Sequence, residues 1–228
     1  MHLEKSIIGL SMNIRGLNGL MDPFEKALLA SVYVSNIEPT ISSIDRLRSR
    51  MYLPMRIFND RIRHLISNGL LEKDNSLRLT FLGRDAIKVV LVGGVFDVIH
   101  PGHIHTLKAA KQHGDVLVVV VARTSTAAKL KKGRKIYHDE DLRKELVSSL
   151  AFLDLAIIGS QVSLYDSVER VSPDIIALGY DQIHSEKEIS QNCKDRNLSV
   201  RIIRLNTPVP GIKSSQIKDK MGNSIYGI

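Results

Sequence analysis

The chain has 228 residues, 43% of them apolar, and a formal net charge of +8. That composition fits a globular protein with one large core, or a medium core beside a small one, and excludes a disordered chain. The apolar runs around 89–99 and 116–122 are strand-sized and broken by Gly, Asp or Arg, so no membrane span is expected.

The N-terminus, Met1-His2-Leu3-Glu4-Lys5, does not open a secretion signal, and a cytoplasmic location is expected. The single cysteine, Cys193, lies in a charged stretch and excludes an intramolecular disulfide. It reads as a surface or half-buried structural thiol. Residues 1–88 carry 13 Lys+Arg against 9 Asp+Glu, and residues 89–228 carry 19 against 15, so each part is +4. Two clusters stand out locally: Arg46, Arg48, Arg50, Arg56, Arg61 and Arg63 in the first part, and Lys129, Lys131, Lys132, Arg134 and Lys135 in the second.

Asp22-Pro23 is a good helix start, and Phe24, Ala27, Leu28 and Val32 follow at helical spacing. Ser42-Ser43-Ile44-Asp45 offers a cap for a short helix to about Met51. Leu53-Pro54 then opens a third helix, in which Ile57, Ile62, Leu65 and Ile66 are expected inside and Arg56, Asn59, Arg63 and His64 outside. Asn68-Gly69 ends it. Leu70–Lys73 and Leu77–Thr80 read as a hairpin around Asp74-Asn75-Ser76. With Leu79–Ile87, this order resembles winged-helix domains over residues 1–87. That resemblance implies a small α+β domain whose third helix approaches double-stranded DNA through Arg56, Asn59 and Arg63, with Arg78 on the wing. Winged helices also serve as dimer interfaces, so a homodimer is the other reading.

After Lys88 the pattern becomes alternating strand and helix. The runs 89–96, 116–121, 155–158, 175–178 and 200–205 are short, apolar and β-branched, as strands covered on both faces should be. Helical stretches lie near 102–113, 139–151, 163–171, 185–196 and 214–220, the second mainly for packing. Residues 88–228 are therefore expected to form an α/β domain with a Rossmann-like, doubly wound parallel sheet.

The first strand of that domain runs into Gly93-Gly94-Val95-Phe96-Asp97-Val98-Ile99-His100-Pro101-Gly102-His103. Two glycines let a phosphate approach the backbone at the strand's carboxyl end. Pro101 pre-sets the first turn of the next helix, whose N-terminus attracts anions. His100 and His103 can both donate to phosphate oxygens there. Two His three apart also suit a metal pair or plain helix-cap residues. The order of strand, glycine turn, acid, HPGH and helix resembles the HxGH nucleotidyltransferase superfamily. The P-loop pattern is absent.

That resemblance implies nucleotide contacts from Gly93, Gly94, Val95, Phe96, His100, Pro101, Gly102 and His103. It extends to Arg123 and Lys132 around the loop after the second strand, which the superfamily uses for the triphosphate or the acceptor phosphate. A solvated basic surface is the other reading of that loop. Asp174–Gln182 resembles the D-x-x-x-L-G-Y-D-Q segment of archaeal FAD synthases, which implies nucleotide contacts from Gly179 and Asp181 and an acceptor contact from Tyr180. A purely local turn is the alternative. Lys213–Ile217 resembles a late Ser-Ser motif in which Ser214 and Ser215 hold phosphates, although Ser214 also suits a helix cap. Val95 departs from the usual Thr or Ser, and the archaeal enzymes are usually the catalytic domain alone.

The implied reaction joins ATP and FMN to give FAD and pyrophosphate, with Mg²⁺ or another divalent cation and with His100, His103 and Lys132 stabilising the transferring charge. Asp97 either orients that cation or caps the glycine turn. The rivals are a cytidylyltransferase acting on glycerol 3-phosphate or a similar acceptor, and a DNA-binding regulator whose nucleotide fold senses a ligand.

Overall fold

A computed structural model of the chain describes residues 21–39, 43–52, 54–74, 77–130, 136–180, 182 and 185–206. The chain divides into two compact units, Met1–Ile87 and Lys88–Ile228. Among the described residues, no helix is long and apolar enough to cross a membrane.

The first unit contains α1 (Pro23–Ile37), α2 (Ser43–Met51), α3 (Met55–Ser67) and the short α4 (Phe81–Asp85). Asp22 caps α1, its carboxylate accepting from the Phe24 N–H at 3.0 Å, and Pro23 occupies the first turn. Leu28, Leu29, Val32 and Tyr33 of α1 are buried, as are Phe58 and Leu65 of α3. This corrects the expected face of α3. Ile57 is 45% exposed, while the neighbouring Phe58 turns inward. Among the described residues, the expected hairpin shows one antiparallel bridge, Leu71↔Leu79, flanked by Glu72 N–H to Arg78 O at 2.8 Å and Thr80 N–H to Leu70 O at 3.2 Å. Gly69, at φ +71°, supplies the left-handed residue that ends α3.

The second unit is a five-stranded, wholly parallel sheet in the order β3-β2-β1-β4-β5. Its strands are β1 (Val89–Gly94), β2 (Val116–Val121), β3 (Leu155–Ile158), β4 (Ile175–Leu178) and β5 (Arg201–Arg204). The connecting helices are α5 (Pro101–Lys111), α6 (Thr124–Leu130), α7 (Glu140–Ser148), α8 (Leu164–Val171) and α9 (Glu186–Lys194). The unbroken valine-rich run of β2 is buried along its whole length, which only a central strand covered by helices on both faces permits. α6 was not expected from the sequence, and the expected helix at 214–220 lies outside the described residues.

Carboxylates hold the N-terminal ends of the central strands. Asp174 accepts from Val89 N–H at 2.8 Å, and Asp154 accepts from Leu117 N–H at 2.7 Å. Asp174 is thus a structural residue within the Asp174–Gln182 segment. Chemistry is left to the opposite edge, where β1 and β4 are neighbours and the chain reverses its direction of winding. Doubly wound sheets bind ligands at that switch point. Cys193, expected at or near the surface, is instead 1% exposed, and burial pushes its thiol pKa up.

Candidate active site

Three segments meet at the carboxyl ends of β1 and β4: the β1 turn, the start of α5 and the β4 turn. Pro101 stands at the first turn of α5, and His100 is the residue that caps it, although its side chain makes no capping hydrogen bond. The plain helix-cap reading of His100 therefore does not describe its imidazole. That ring is 8% exposed and lies against the ring of His103, with centroids 3.9 Å apart. Nδ1 of both rings is buried. The two histidines act as one stacked pair at the helix N-terminus.

Phe96 also meets His103, edge-on, at a centroid distance of 5.2 Å. It adopts φ +53°, which is uncommon for an aromatic residue and turns its ring back over the glycine turn. A Cβ on Gly94 would lie 2.6 Å from that ring, whereas a Cβ on Gly93 would meet nothing within 4 Å. The two glycines, grouped together in the sequence reading, differ in use. Gly94 makes room for Phe96, and Gly93 leaves open space beside the backbone.

Asp97 is buried, and its carboxylate accepts from the main-chain N–H groups of Tyr137 at 3.1 Å and His138 at 2.9 Å. Nδ1 of His138 lies 3.0 Å from the Asp97 carbonyl oxygen and 3.2 Å from its carboxylate. Both partners are acceptors, so Nδ1 carries the proton. Asp97 thereby ties the glycine turn to Tyr137 and His138, just before α7. Lys132, Asp181, Ser214 and Ser215 lie outside the described residues.

The residue that sequence reasoning passed over is Arg143. On α7, where a charge ordinarily faces water, it is fully buried. Its guanidinium donates to Val95 O at 2.8 Å, Ala122 O at 2.7 Å, His138 O at 3.0 Å and Thr124 Oγ1 at 3.2 Å. Burial pulls its pKa down, and Asp97, Glu140 and Asp139 oppose that pull. One planar group with donors in a fixed fork thus joins the β1 turn, the end of β2, the start of α6 and His138. Glu140 extends the network, accepting from the Thr124 side chain and from its N–H at 3.1 Å. The Thr124 hydroxyl chiefly holds the Glu140 carboxyl below its usual range. Arg123 donates to Gly159 O at 2.9 Å and lies 3.6 Å from Glu140.

On the far wall, Tyr180 is half-buried and follows Gly179, whose N–H donates to the Gln182 side chain at 3.3 Å. In the first unit, Arg56, Asn59, Arg63 and Arg78 are all exposed. Arg63 pairs with Asp60, and Arg78 pairs with Asp74 at 2.7 Å. Arg61 turns away to Glu25 at 3.2 Å and Asp22 at 3.4 Å, where His64 also meets Glu25.

Residues 91–220 match the cytidylyltransferase-like family. A FAD synthase of Aciduliprofundum boonei is 48% identical over 116 residues, which are 51% of this chain and 76% of that protein. A FAD synthase of Picrophilus torridus is 42% identical over 126 residues, 55% of this chain and 89% of its own. Among solved structures, a lipopolysaccharide core biosynthesis protein from Thermoplasma volcanium GSS1 is 43% identical with a TM-score of 0.51, covering 53% of this chain and 98% of that one. A glycine turn, stacked histidines and a β4 turn meet at the switch point of a parallel sheet, inside a match that spans more than half the sequence; the chain belongs to the cytidylyltransferase-like family, as a relative of FAD synthases.

Proposed function

We propose that the chain is an FMN adenylyltransferase. An oxygen of the FMN phosphate attacks the α-phosphorus of ATP, the bond to the bridging oxygen of the β-phosphate breaks, and pyrophosphate leaves with that electron pair as FAD forms. The observation that carries this reading is the stacked His100–His103 pair at the α5 N-terminus, in a chain up to 48% identical to FAD synthases. No protein nucleophile is needed. Holding the two phosphates in line supplies roughly 7–11 kcal/mol of such a barrier. The imidazoles and Lys132 stabilise charge on the transferring group and the leaving pyrophosphate. Gly93, Gly102, Gly179, Asp181, Ser214 and Ser215 cradle the nucleotide, while Tyr180 and Arg123 face the acceptor.

Mg²⁺ or another divalent cation, supplied with ATP, would offset negative charge on the phosphates. The described residues hold no cluster of three or more metal-ligating side chains, and Asp97 already anchors two main-chain N–H groups. In this reading Asp97 holds Tyr137 and His138, and the ion is brought by the substrate. Mass analysis of products from ATP plus FMN tests the proposal. FAD is expected, and turnover of CTP with glycerol 3-phosphate but none of ATP with FMN would sink it.

We infer a second role for the first unit, binding of duplex DNA by the outer face of α3. Its support is that Arg56, Asn59 and Arg63 are exposed at helical spacing while Arg61 is turned to α1. Phosphate contacts make affinity fall steeply with salt. Fluorescence anisotropy with genomic fragments over a salt series should show that slope, and Arg56→Glu with Arg63→Glu should abolish binding. Binding that is absent or insensitive to salt, together with a dimer broken by the same substitutions, would favour an interface between two copies.

A further inference from the structure

The two neighbours of β1 leave it at different heights. β1 stays paired with β2 up to Gly94↔Val121, but its ladder with β4 covers Val90↔Ile175 and Leu91↔Ile176. On the β4 side, the sheet therefore opens before β1 ends, and that opening is the crevice at the switch point. Gln182 spans it. Its amide nitrogen donates to Gly93 O at 2.8 Å, and its amide oxygen accepts from Gly179 N–H at 3.3 Å. With a carbonyl on one side and an N–H on the other, the orientation of the amide is forced.

Behind the bridge stands Arg204 on β5. One of its terminal nitrogens donates to Gly179 O at 3.0 Å and to Gln182 O at 3.1 Å, while its Nε donates to Glu186 at 2.8 Å. Gln182 N–H closes the turn on Gly179 O at 3.2 Å. Gly179 and Gln182 are thus tied to each other and to β5, and Gln182 is the side chain that fastens them to the β1 turn. This task needs a donor and an acceptor on one flat group. An ionised Glu only accepts, Leu does neither, and Asn is a methylene too short.

We propose that Gln182 is a positioning residue that sets the width of the nucleotide crevice, holding the wall that carries Tyr180 at a fixed distance from Gly93. The proposal rests on the adenylyltransferase reading for its substrate. It involves no contact between Gln182 and the reacting atoms.

Gln182→Glu and Gln182→Leu, assayed for FAD formation from pH 8 to about pH 4.5, close to the ordinary glutamate range, beside the unmodified protein, test it. At pH 8 both should raise the KM for ATP roughly tenfold, the effect of one lost hydrogen bond, with kcat within about twofold. As the pH falls, the carboxyl introduced in Gln182→Glu takes up a proton and can again donate to Gly93 O. Its KM relative to the unmodified protein should fall back, while the ratio for Gln182→Leu stays flat. A merely structural loss has no reason to recover with acid in one variant alone. Calorimetric affinity for a non-hydrolysable ATP analogue should give the same ratios without turnover. Ratios that are near one, or equal for both variants at every pH, would overturn the role of Gln182. An unmodified protein that binds the analogue but makes no FAD would instead overturn the acceptor, leaving the calorimetric test of Gln182 intact.

Discussion

Arg143 donates to the main-chain carbonyl of Val95 at 2.8 Å from a position fully shielded from solvent, so helix α7 is joined to the turn that leads into the stacked histidines. The same guanidinium satisfies the carbonyls of Ala122 and His138. Its removal leaves three partly buried carbonyls without this donor and Asp97 without a compensating charge nearby. Buried polar groups deprived of their partner are costly.

Arg143→Met is therefore expected to lower stability by roughly 3–5 kcal/mol, in line with other buried charge networks broken on one side. Arg143→Lys should recover little of it, because a single ammonium cannot reach carbonyls arranged around a planar fork. Urea denaturation followed by circular dichroism measures both. A loss under 1 kcal/mol for Arg143→Met would show that the network relaxes onto water and that its bonds do not matter to the fold.

Gly93 and Gly94 should respond to alanine in opposite ways. A Cβ on Gly94 meets the Phe96 ring at 2.6 Å, so Gly94→Ala must displace that ring from His103, at about 1–3 kcal/mol of overpacking and with a fall in kcat. A Cβ on Gly93 meets nothing within 4 Å, so Gly93→Ala should fold normally. The open space beside it is the proposed seat of a substrate phosphate, and the added methyl should raise the KM for ATP. Thermal denaturation together with steady-state kinetics separates the two. A Gly93→Ala protein with unchanged KM would place the triphosphate elsewhere.

Much of this fold is legible in the sequence, because the strands of a parallel sheet must be apolar on both faces and the runs at 116–121 and 175–178 have no other plausible use. Other elements resist reading for physical reasons. Ile57 and Phe58 are adjacent apolar residues on α3, and a helix rotates about 100° between them, so periodicity alone does not decide which faces inward. α6 begins with Thr124-Ser125-Thr126, whose side chains favour caps and turns, and only Ala127 of its described side chains is buried. A helical arginine reads as solvated by default, and the burial of Arg143 emerges only when the ends of β1 and β2 come together around it. The bridge made by Gln182 depends on how far β1 and β4 have parted, which no local pattern records.

Acid should act on this network through Glu140. Its carboxyl is held below the usual range first by the Thr124 hydroxyl, with Arg143 contributing. A group whose folded pKa is depressed stabilises the fold fully above its unfolded pKa and loses that contribution as pH falls through the folded value. Stability should therefore drop below about pH 4.5, the ordinary value for this group. In Thr124→Val the folded and unfolded values approach each other, so the variant should be less stable at pH 7 while losing less between pH 6 and pH 3. Melting temperatures across that range decide the matter, and parallel curves for the two proteins would remove Glu140 from the account.

His100 offers the cleanest separation of chemistry from fold. It stands at the capping position of α5, yet its side chain makes no capping bond, so the helix does not depend on the imidazole for its N-terminus. Serine is among the best capping residues, and a good cap contributes about 1 kcal/mol, which offsets packing lost beside His103. His100→Ser should accordingly stay within about 1 kcal/mol of the unmodified protein in urea. FAD formation should nevertheless fall by roughly 10²–10³-fold, as when one preorganised donor to a developing oxyanion is removed. If the loss falls on kcat, the imidazole acts on the transferring phosphate. A matching rise in KM with kcat preserved would make it a ground-state binding group instead, and unchanged FAD synthesis would remove the histidine pair from the mechanism altogether.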